Sequence, residues 1–227
     1  MRNSLLIKNG AVVSPADRLN GVRDVLIADG KIERIGRNLR ARADKVIDAK
    51  GLAVCPGFID LCAHFREPGF ESKETIATGS QAAAAGGFTA VALMPTTSPV
   101  VDNETVVKFI LDRAKTASVR CLPVGASTKN LEGKTLAEIA LMKEAGIVAI
   151  TDEGKTVLDS GVMRNIFRYA KMEALTVLCH CDDEGLSAGG VINEGAVSAL
   201  LGLKGSPRSA EEVIASRNLI LAAETGA

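Results

Sequence analysis

The sequence has no tryptophan, one tyrosine and two histidines among 227 residues. Aromatics are 3% of the chain, so any core must be built from aliphatic side chains. There is no excess of either charge, with 27 Lys and Arg against 27 Asp and Glu. Bulk attraction to nucleic acid or an anionic membrane is therefore excluded. The apolar runs are all far shorter than a membrane span. The opening stretch MRNSLLIKNGAVV does not read as a signal peptide, because Lys8 and Asn9 interrupt it. Cysteines number five, an odd count, and three of them sit in apolar strand-like runs. That pattern fits a reduced, cytoplasmic chain rather than a disulfide framework. What remains is 47% hydrophobic, ample for one domain or one and a half.

Two textures follow one another. Residues 1–55 alternate apolar and polar positions and are rich in turn residues. Asn9-Gly10 and Asp29-Gly30 are expected hairpin turns there. Residues 56–227 alternate strand-like and helix-like segments. The strands are expected in GFIDLCAHF, TAVALMP, VRCLPVGAS, IVAITDEG and TVLCHCDD. The helices are expected in KETIATGSQAAAAGG, from Asp102 or Asn103 to Lys115, and in TLAEIALMKEAG, DSGVMRNIFRYAKMEA and SAEEVIASRNLILAAETGA. A long Gly-rich loop is expected between the last strand and the last helix. Apolar strands alternating with amphipathic helices define an α/β fold whose parallel sheet is covered by helices.

In such folds the functional side chains gather at the C-terminal ends of the strands. Here those ends carry Cys62, His64 and Arg66, then Met94 to Thr97, then Thr151, Asp152 and Glu153, then His180, Asp182 and Asp183. Cys62, His64 and Arg66 are at alternate positions and share one face of a strand. Both histidines fall on one rim, with thiol and carboxylate groups beside them. That donor set suits a zinc-type ion. It is equally compatible with a small buried cysteine, structural histidines and a plain acidic turn. The residues alone leave that choice open.

PGFIDLCAHFREPG, KETIATGSQAAAAGGFTAVALMPTTSPVVDN, TDEGK, HCDDEGLSAGGVINEG and LGLKGSPRSAEE resemble, in order and spacing, the dihydroorotases of the amidohydrolase superfamily. The resemblance implies a metal-dependent TIM-type (β/α)8 barrel, of which about five βα units are present. It also implies a small β-sandwich built from both chain ends, so that residues 1–55 form a sandwich segment and residues 56–227 a partial barrel. The implied activity is the reversible cyclisation of carbamoyl-aspartate to dihydroorotate in pyrimidine biosynthesis, with zinc as cofactor.

Carried over by position, the resemblance implies metal ligation by Cys62, His64, Glu153 and His180. It implies contact with substrate by Arg66, which would grip a carboxylate, and by Thr96. Three positions depart from the family pattern. Cys62 replaces the first histidine of a His-x-His motif, Thr96 replaces an asparagine, and Glu153 replaces an aspartate one methylene shorter. No catalytic residue is assigned, because the family's general acid/base aspartate corresponds to a position beyond Ala227.

Three functional expectations follow from the resemblance. One is a dihydroorotase-like protein, catalytically impaired, that assembles with aspartate carbamoyltransferase as a structural partner. Another is the N-terminal part of an active zinc-dependent dihydroorotase. A third, ranked last because TDEG offers no lysine at the ligand position, is another cyclic amidase such as a hydantoinase. Assembly into an oligomer is implied, and neither nucleic acid nor membrane is an expected partner. The segment from Gly189 to Pro207 carries Val191, Ile192, Leu200, Leu201 and Leu203. These either pack on the chain's own barrel or form a docking surface.

Overall fold

A computed structural model of the chain describes residues 4–227. The chain divides into two compact units, one ending at Gly57 and the other spanning Phe58–Ala227.

The first unit is one mixed sheet of β1 (Ser4–Ser14), β2 (Leu19–Ala28), β3 (Lys31–Gly36), β4 (Lys45–Asp48) and β5 (Ala53–Val54). The order is β3-β2-β1-β4, with β5 also on β1. Asp29 and Gly30 make the β2–β3 hairpin turn, with φ of 49° and 73°. Both central residues of a type I′ turn need a positive φ, and Asp-Gly tolerates it. Asn9-Gly10 is not a hairpin turn. It is a bulge inside β1, where the register on β2 shifts between Ile7 and Gly10. The reason lies on β2. Buried Asp24 accepts the Asn9 N–H at 2.9 Å and the Leu39 N–H at 2.7 Å, so the displaced backbone is paired without a chain reversal.

The second unit opens with β6 (Phe58–Ala63), α1 (Ile76–Ala85), β7 (Phe88–Leu93), α2 (Glu104–Ala114) and β8 (Arg120–Ala126). It continues through a 3-10 turn (Lys129–Leu131), α3 (Ile139–Ala145), β9 (Ala149–Thr151), α4 (Ser160–Met172) and β10 (Thr176–Leu178). Then come α5 (Glu184–Ser187), β11 (Ile192–Asn193), α6 (Ala196–Leu201), β12 (Gly205–Ser206) and α7 (Ser209–Thr225). β6 to β10 form one curled five-stranded sheet in the order β10-β9-β8-β7-β6, a half-barrel. Every neighbouring pair in it is parallel.

Helix ends follow local chemistry. Thr75 and Thr78 form a reciprocal cap at the start of α1. The Asn103 side chain accepts the N–H groups of Thr105 and Val106 to open α2, and Asp159 caps α4. The expected helix over TLAEIALMKEAG is shorter than its periodicity suggests. Leu136 is drawn into a bridge with Thr128, and α3 begins only at Ile139. The expected long loop is also more structured than its glycines suggest. It holds α5, the two-stranded β11–β12 pair and α6.

Strand alternation separates two apolar faces. Val91 and Leu93 of β7 enter the main core with Ile76, Val107, Ile110, Ile139, Met142 and Ile166 beneath the helices. Ala92 and the following Met94 point the other way, with Val124 and Ala149, into a small second cluster. Ala63 belongs to the helix-side core. Its neighbours Cys62 and His64 therefore face the concave side. Among the described residues no helix is long and apolar enough to cross a membrane.

Candidate metal centre

Three of the side chains expected at the rim converge. Cys62, His64 and Glu153 each place a ligand-type atom within 4.8 Å of the other two. Cys62 and His64 come from the end of β6. Glu153 comes from the turn after β9, two strands beyond β7 in the sheet. The His64 Nε2 lies 3.4 Å from Glu153 Oε2. On the other side of the ring, Nδ1 is 2.9 Å from Thr96 Oγ1. The ring is therefore held between a carboxylate and a hydroxyl. In the tautomer with Nδ1–H donating to Thr96, Nε2 offers a lone pair toward Glu153. Burial, together with the nearby carboxylates of Glu153 and Asp60, pushes the Cys62 thiol above its ordinary value.

The two adjacent carboxylates of TDEG have different surroundings. Asp152 is buried, and its Oδ1 accepts the N–H groups of Ser127 at 2.9 Å and Thr128 at 3.0 Å. Its Oδ2 accepts the Thr128 hydroxyl. Asp152 therefore pins the end of β8 to the end of β9. Burial pushes the Asp152 carboxyl above its ordinary value, and the hydrogen bonds from Thr128 and Ser127 oppose that rise. Glu153 is half-buried and turned toward His64. Composition and spacing do not distinguish the two; only the family resemblance singles out Glu153. The pairing with Ser127 and Thr128 could be anticipated only from the parallel register of β8 with β9.

Arg66 follows His64 by two residues in a left-handed backbone conformation, with φ of 62°. No ion pair among the described residues engages it. Its neighbour Glu67 is fully committed: Oε2 accepts the Ile76 N–H at 2.9 Å, and Oε1 is 3.4 Å from Arg113 Nε. Glu67 thus ties the loop that carries Arg66 to both α1 and α2. Gly69 closes the same loop at φ of 96°, and a Cβ there would lie 2.1 Å from the Ser98 carbonyl oxygen. Only glycine fits.

His180 sits at the same end of the sheet, after β10, and shares a small cleft with Asp152. Its backbone carbonyl accepts the Thr156 hydroxyl at 3.1 Å. Its side chain is exposed and stands outside the group formed by Cys62, His64 and Glu153. Thr96, expected as a substrate contact, bonds the His64 ring through its hydroxyl at 2.9 Å. All five cysteines are free.

The curled parallel sheet, with imidazole, thiol and carboxylate groups at the C-terminal ends of its strands, is half of a TIM-type barrel. Solved structures agree on the fold. The chain is similar to the L-hydantoinase (dihydropyrimidinase) of Arthrobacter aurescens, with a TM-score of 0.79 and 24% identity over 100% of this chain and 51% of that one. It is also similar to a D-hydantoinase, with a TM-score of 0.72 and 24% identity over 99% of this chain and 50% of that one. A family profile described as dihydro-orotase-like matches residues 51–227, and the chain belongs to that family. It is 51% identical over 222 residues to a dihydroorotase of Pelotomaculum thermopropionicum, covering 98% of this chain and 52% of the relative. It is 48% identical over 223 residues to a dihydroorotase of Aquifex aeolicus, covering 98% and 53%. The chain thus spans about half the length of the curated relatives it matches.

Proposed function

We propose that this chain supplies the metal-binding and carboxylate-gripping half of a dihydroorotase-type cyclic amidase. The reaction would interconvert carbamoyl-aspartate and dihydroorotate in pyrimidine biosynthesis. The observation that carries this reading is the unpaired Arg66 two residues from a Cys62, His64 and Glu153 cluster. A planar guanidinium fits a substrate carboxylate with two parallel hydrogen bonds, so the site favours a carboxylate-bearing ring. An uncharged hydantoin has no use for it, which ranks the hydantoinase reading lower.

The donor set fits zinc, which accepts thiolate, imidazole and carboxylate together. Cys62, His64 and Glu153 would hold the ion, and His180 from the neighbouring rim position would be a fourth ligand. A bound zinc would supply Lewis acidity toward the amide carbonyl or its attacking water. The chain's own residues orient the parts. Thr96 holds the His64 ring, Asp152 fixes the strand ends that present Glu153, and Glu67 anchors the Arg66 loop. Asp152 is bonded on both oxygens to Ser127 and Thr128, and the two histidines are assigned to metal. The five free cysteines fit a cytoplasmic setting.

The test is a chimera in which this chain is fused to the remaining C-terminal half of the Pelotomaculum thermopropionicum relative. Metal-dependent turnover of dihydroorotate, lost in Arg66→Ala, is the expected result. A chimera that opens hydantoins and ignores dihydroorotate would overturn it.

A second reading has its own observation. Val191, Leu200, Leu201 and Leu203 are exposed rather than packed on the chain's own barrel, Leu200 to 85%. We propose this surface as the contact for a protein partner, aspartate carbamoyltransferase being the one the resemblance implies.

A further inference from the structure

We infer that Cys62, His64 and Glu153 form a single-ion site selective for thiophilic divalent metals, in which Cys62 binds as the thiolate. The inference rests on the metal reading above and adds its stoichiometry and selectivity.

Geometry comes first. Two ligands each about 2.0 Å from a tetrahedral ion stand about 3.3 Å apart. His64 Nε2 and Glu153 Oε2 are separated by 3.4 Å. The third donor of the group stays within 4.8 Å of both. The His64–Glu153 span is that of two ligands around one ion, and a sulfur ligand on the same ion would stand about 3.5 Å from each, inside the 4.8 Å that contains all three atoms. Thr96 fixes the His64 ring from the far side at 2.9 Å, the outer hydrogen bond that ligating imidazoles require.

Charge gives the count. A thiolate and a carboxylate together carry two negative charges, which one divalent ion neutralises. A second ion would need further anionic donors, and of the neighbouring carboxylates Asp152 is engaged through both oxygens, by Ser127 and Thr128, and Asp60 through one, by the Cys62 N–H at 2.9 Å.

Donor softness gives the selectivity. Magnesium and calcium take oxygen sets, whereas sulfur with nitrogen favours zinc, cobalt and cadmium. Binding removes one proton from Cys62 to solvent and forms the metal–sulfur bond, with no change of oxidation state.

The test uses the 227-residue chain, reduced and metal-free, titrated with Co²⁺ alone. A near-ultraviolet sulfur-to-cobalt charge-transfer band should rise and saturate at one equivalent. Zn²⁺ or Cd²⁺ at one equivalent should displace it, and a tenfold excess of Mg²⁺ should not. Cys62→Ser should abolish the band, while a Cys179→Ala, Cys181→Ala double variant retains it. Glu153→Gln should keep the band and weaken binding at least tenfold. It also serves as the second readout if Cys62→Ser does not fold by circular dichroism. Saturation at two equivalents, a band surviving in Cys62→Ser, a band lost with Cys179 and Cys181, or full affinity in Glu153→Gln would each overturn the inference. Failure of the fused chain to turn over dihydroorotate would leave the band unchanged, so the two readings fall separately.

Discussion

Thr96 Oγ1 lies 2.9 Å from His64 Nδ1, while Nε2 of the same ring faces Glu153 at 3.4 Å. One hydroxyl on the β7 side therefore sets the direction in which an imidazole from β6 presents its lone pair. We expect Thr96→Val to weaken Zn²⁺ or Co²⁺ affinity by about 10- to 100-fold, the usual effect of removing such an outer partner. Thermal stability of the metal-free chain should change little, because Thr96 is only half-buried. Competition with a chromophoric chelator measures the first and a melting curve the second. Unchanged affinity would mean that Thr96 does not orient the ring.

The half-barrel and the position of its rim were legible because they depend on period. Two-residue alternation sends Ala63 to the helix side and His64 to the concave side, and parallel strands put all their C-termini at one end. What was not legible depends on partners distant in sequence. Asn9-Gly10 has the composition of a hairpin turn and becomes a bulge because Asp24 captures its backbone. Residues 135–138 have helical spacing and stay outside the helix because Leu136 is bridged to Thr128. His180 shares the rim by spacing, but its distance from Cys62 depends on sheet curvature, which no local pattern encodes.

Asp152 and Glu153 are adjacent and acidic, and their substitution should have opposite effects. Asp152→Ala leaves the buried Thr128 N–H and hydroxyl without their acceptor, while the Ser127 N–H keeps the Thr151 carbonyl at 3.1 Å. Unsatisfied buried donors cost about 1–3 kcal/mol each, so a loss of roughly 2–4 kcal/mol in unfolding free energy is expected. Glu153→Ala should change stability by less than about 0.5 kcal/mol in the absence of metal and should remove metal binding. Urea denaturation of both variants decides it. Equal destabilisation would show that Asp152 is not the structural member of the pair.

Gly79 lies on α1 where a Cβ would come within 2.5 Å of the Phe65 ring. Two effects oppose each other in Gly79→Ala. Helix propensity favours alanine by about 1 kcal/mol. Overpacking against a core ring costs about 1–3 kcal/mol. Phe65 packs against the main core and sits between His64 and Arg66, so the ring cannot yield without moving the metal loop. A lowered melting temperature is expected, together with weaker Co²⁺ binding. A variant more stable than the parent would show that the ring moves freely.

Cys121 is buried in the main core, and that burial raises its thiol above the ordinary value. The unfolded chain then loses this proton at a lower pH than the folded chain does. Stability from this residue is fully present below the ordinary thiol value of about 8.5 and is lost as pH rises above it. Unfolding free energy should therefore fall more steeply above about pH 8.5 in the parent than in Cys121→Val. Exposed Cys55 should react with iodoacetamide at pH 8 well before Cys121. Parallel pH profiles for the two proteins would show that Cys121 is not the group responsible.

The surface around Leu200 gives the last expectation. Val191 is 72% exposed, Leu200 85% and Leu201 58%, in a segment built from short elements with few residues to bury. Isolated apolar side chains on a surface are ordinary, but several close in sequence on one excursion mark a contact surface. Stable assembly needs an apolar centre within roughly 2,000 Å² of buried area, and a patch of this kind is a natural centre for it. Mixing the chain with aspartate carbamoyltransferase at micromolar concentration should give an earlier-eluting species on size exclusion. Leu200→Glu with Leu201→Glu should abolish that species and leave the Co²⁺ band intact, because the substituted residues lie in α6, away from Cys62 and Glu153 in sequence and outside the donor group. Separate elution of the two proteins would count against the structural-partner reading and leave the cyclic amidase reading as the reason this rim is kept. An earlier elution of the chain alone, also removed by the double substitution, would assign the same patch to self-association.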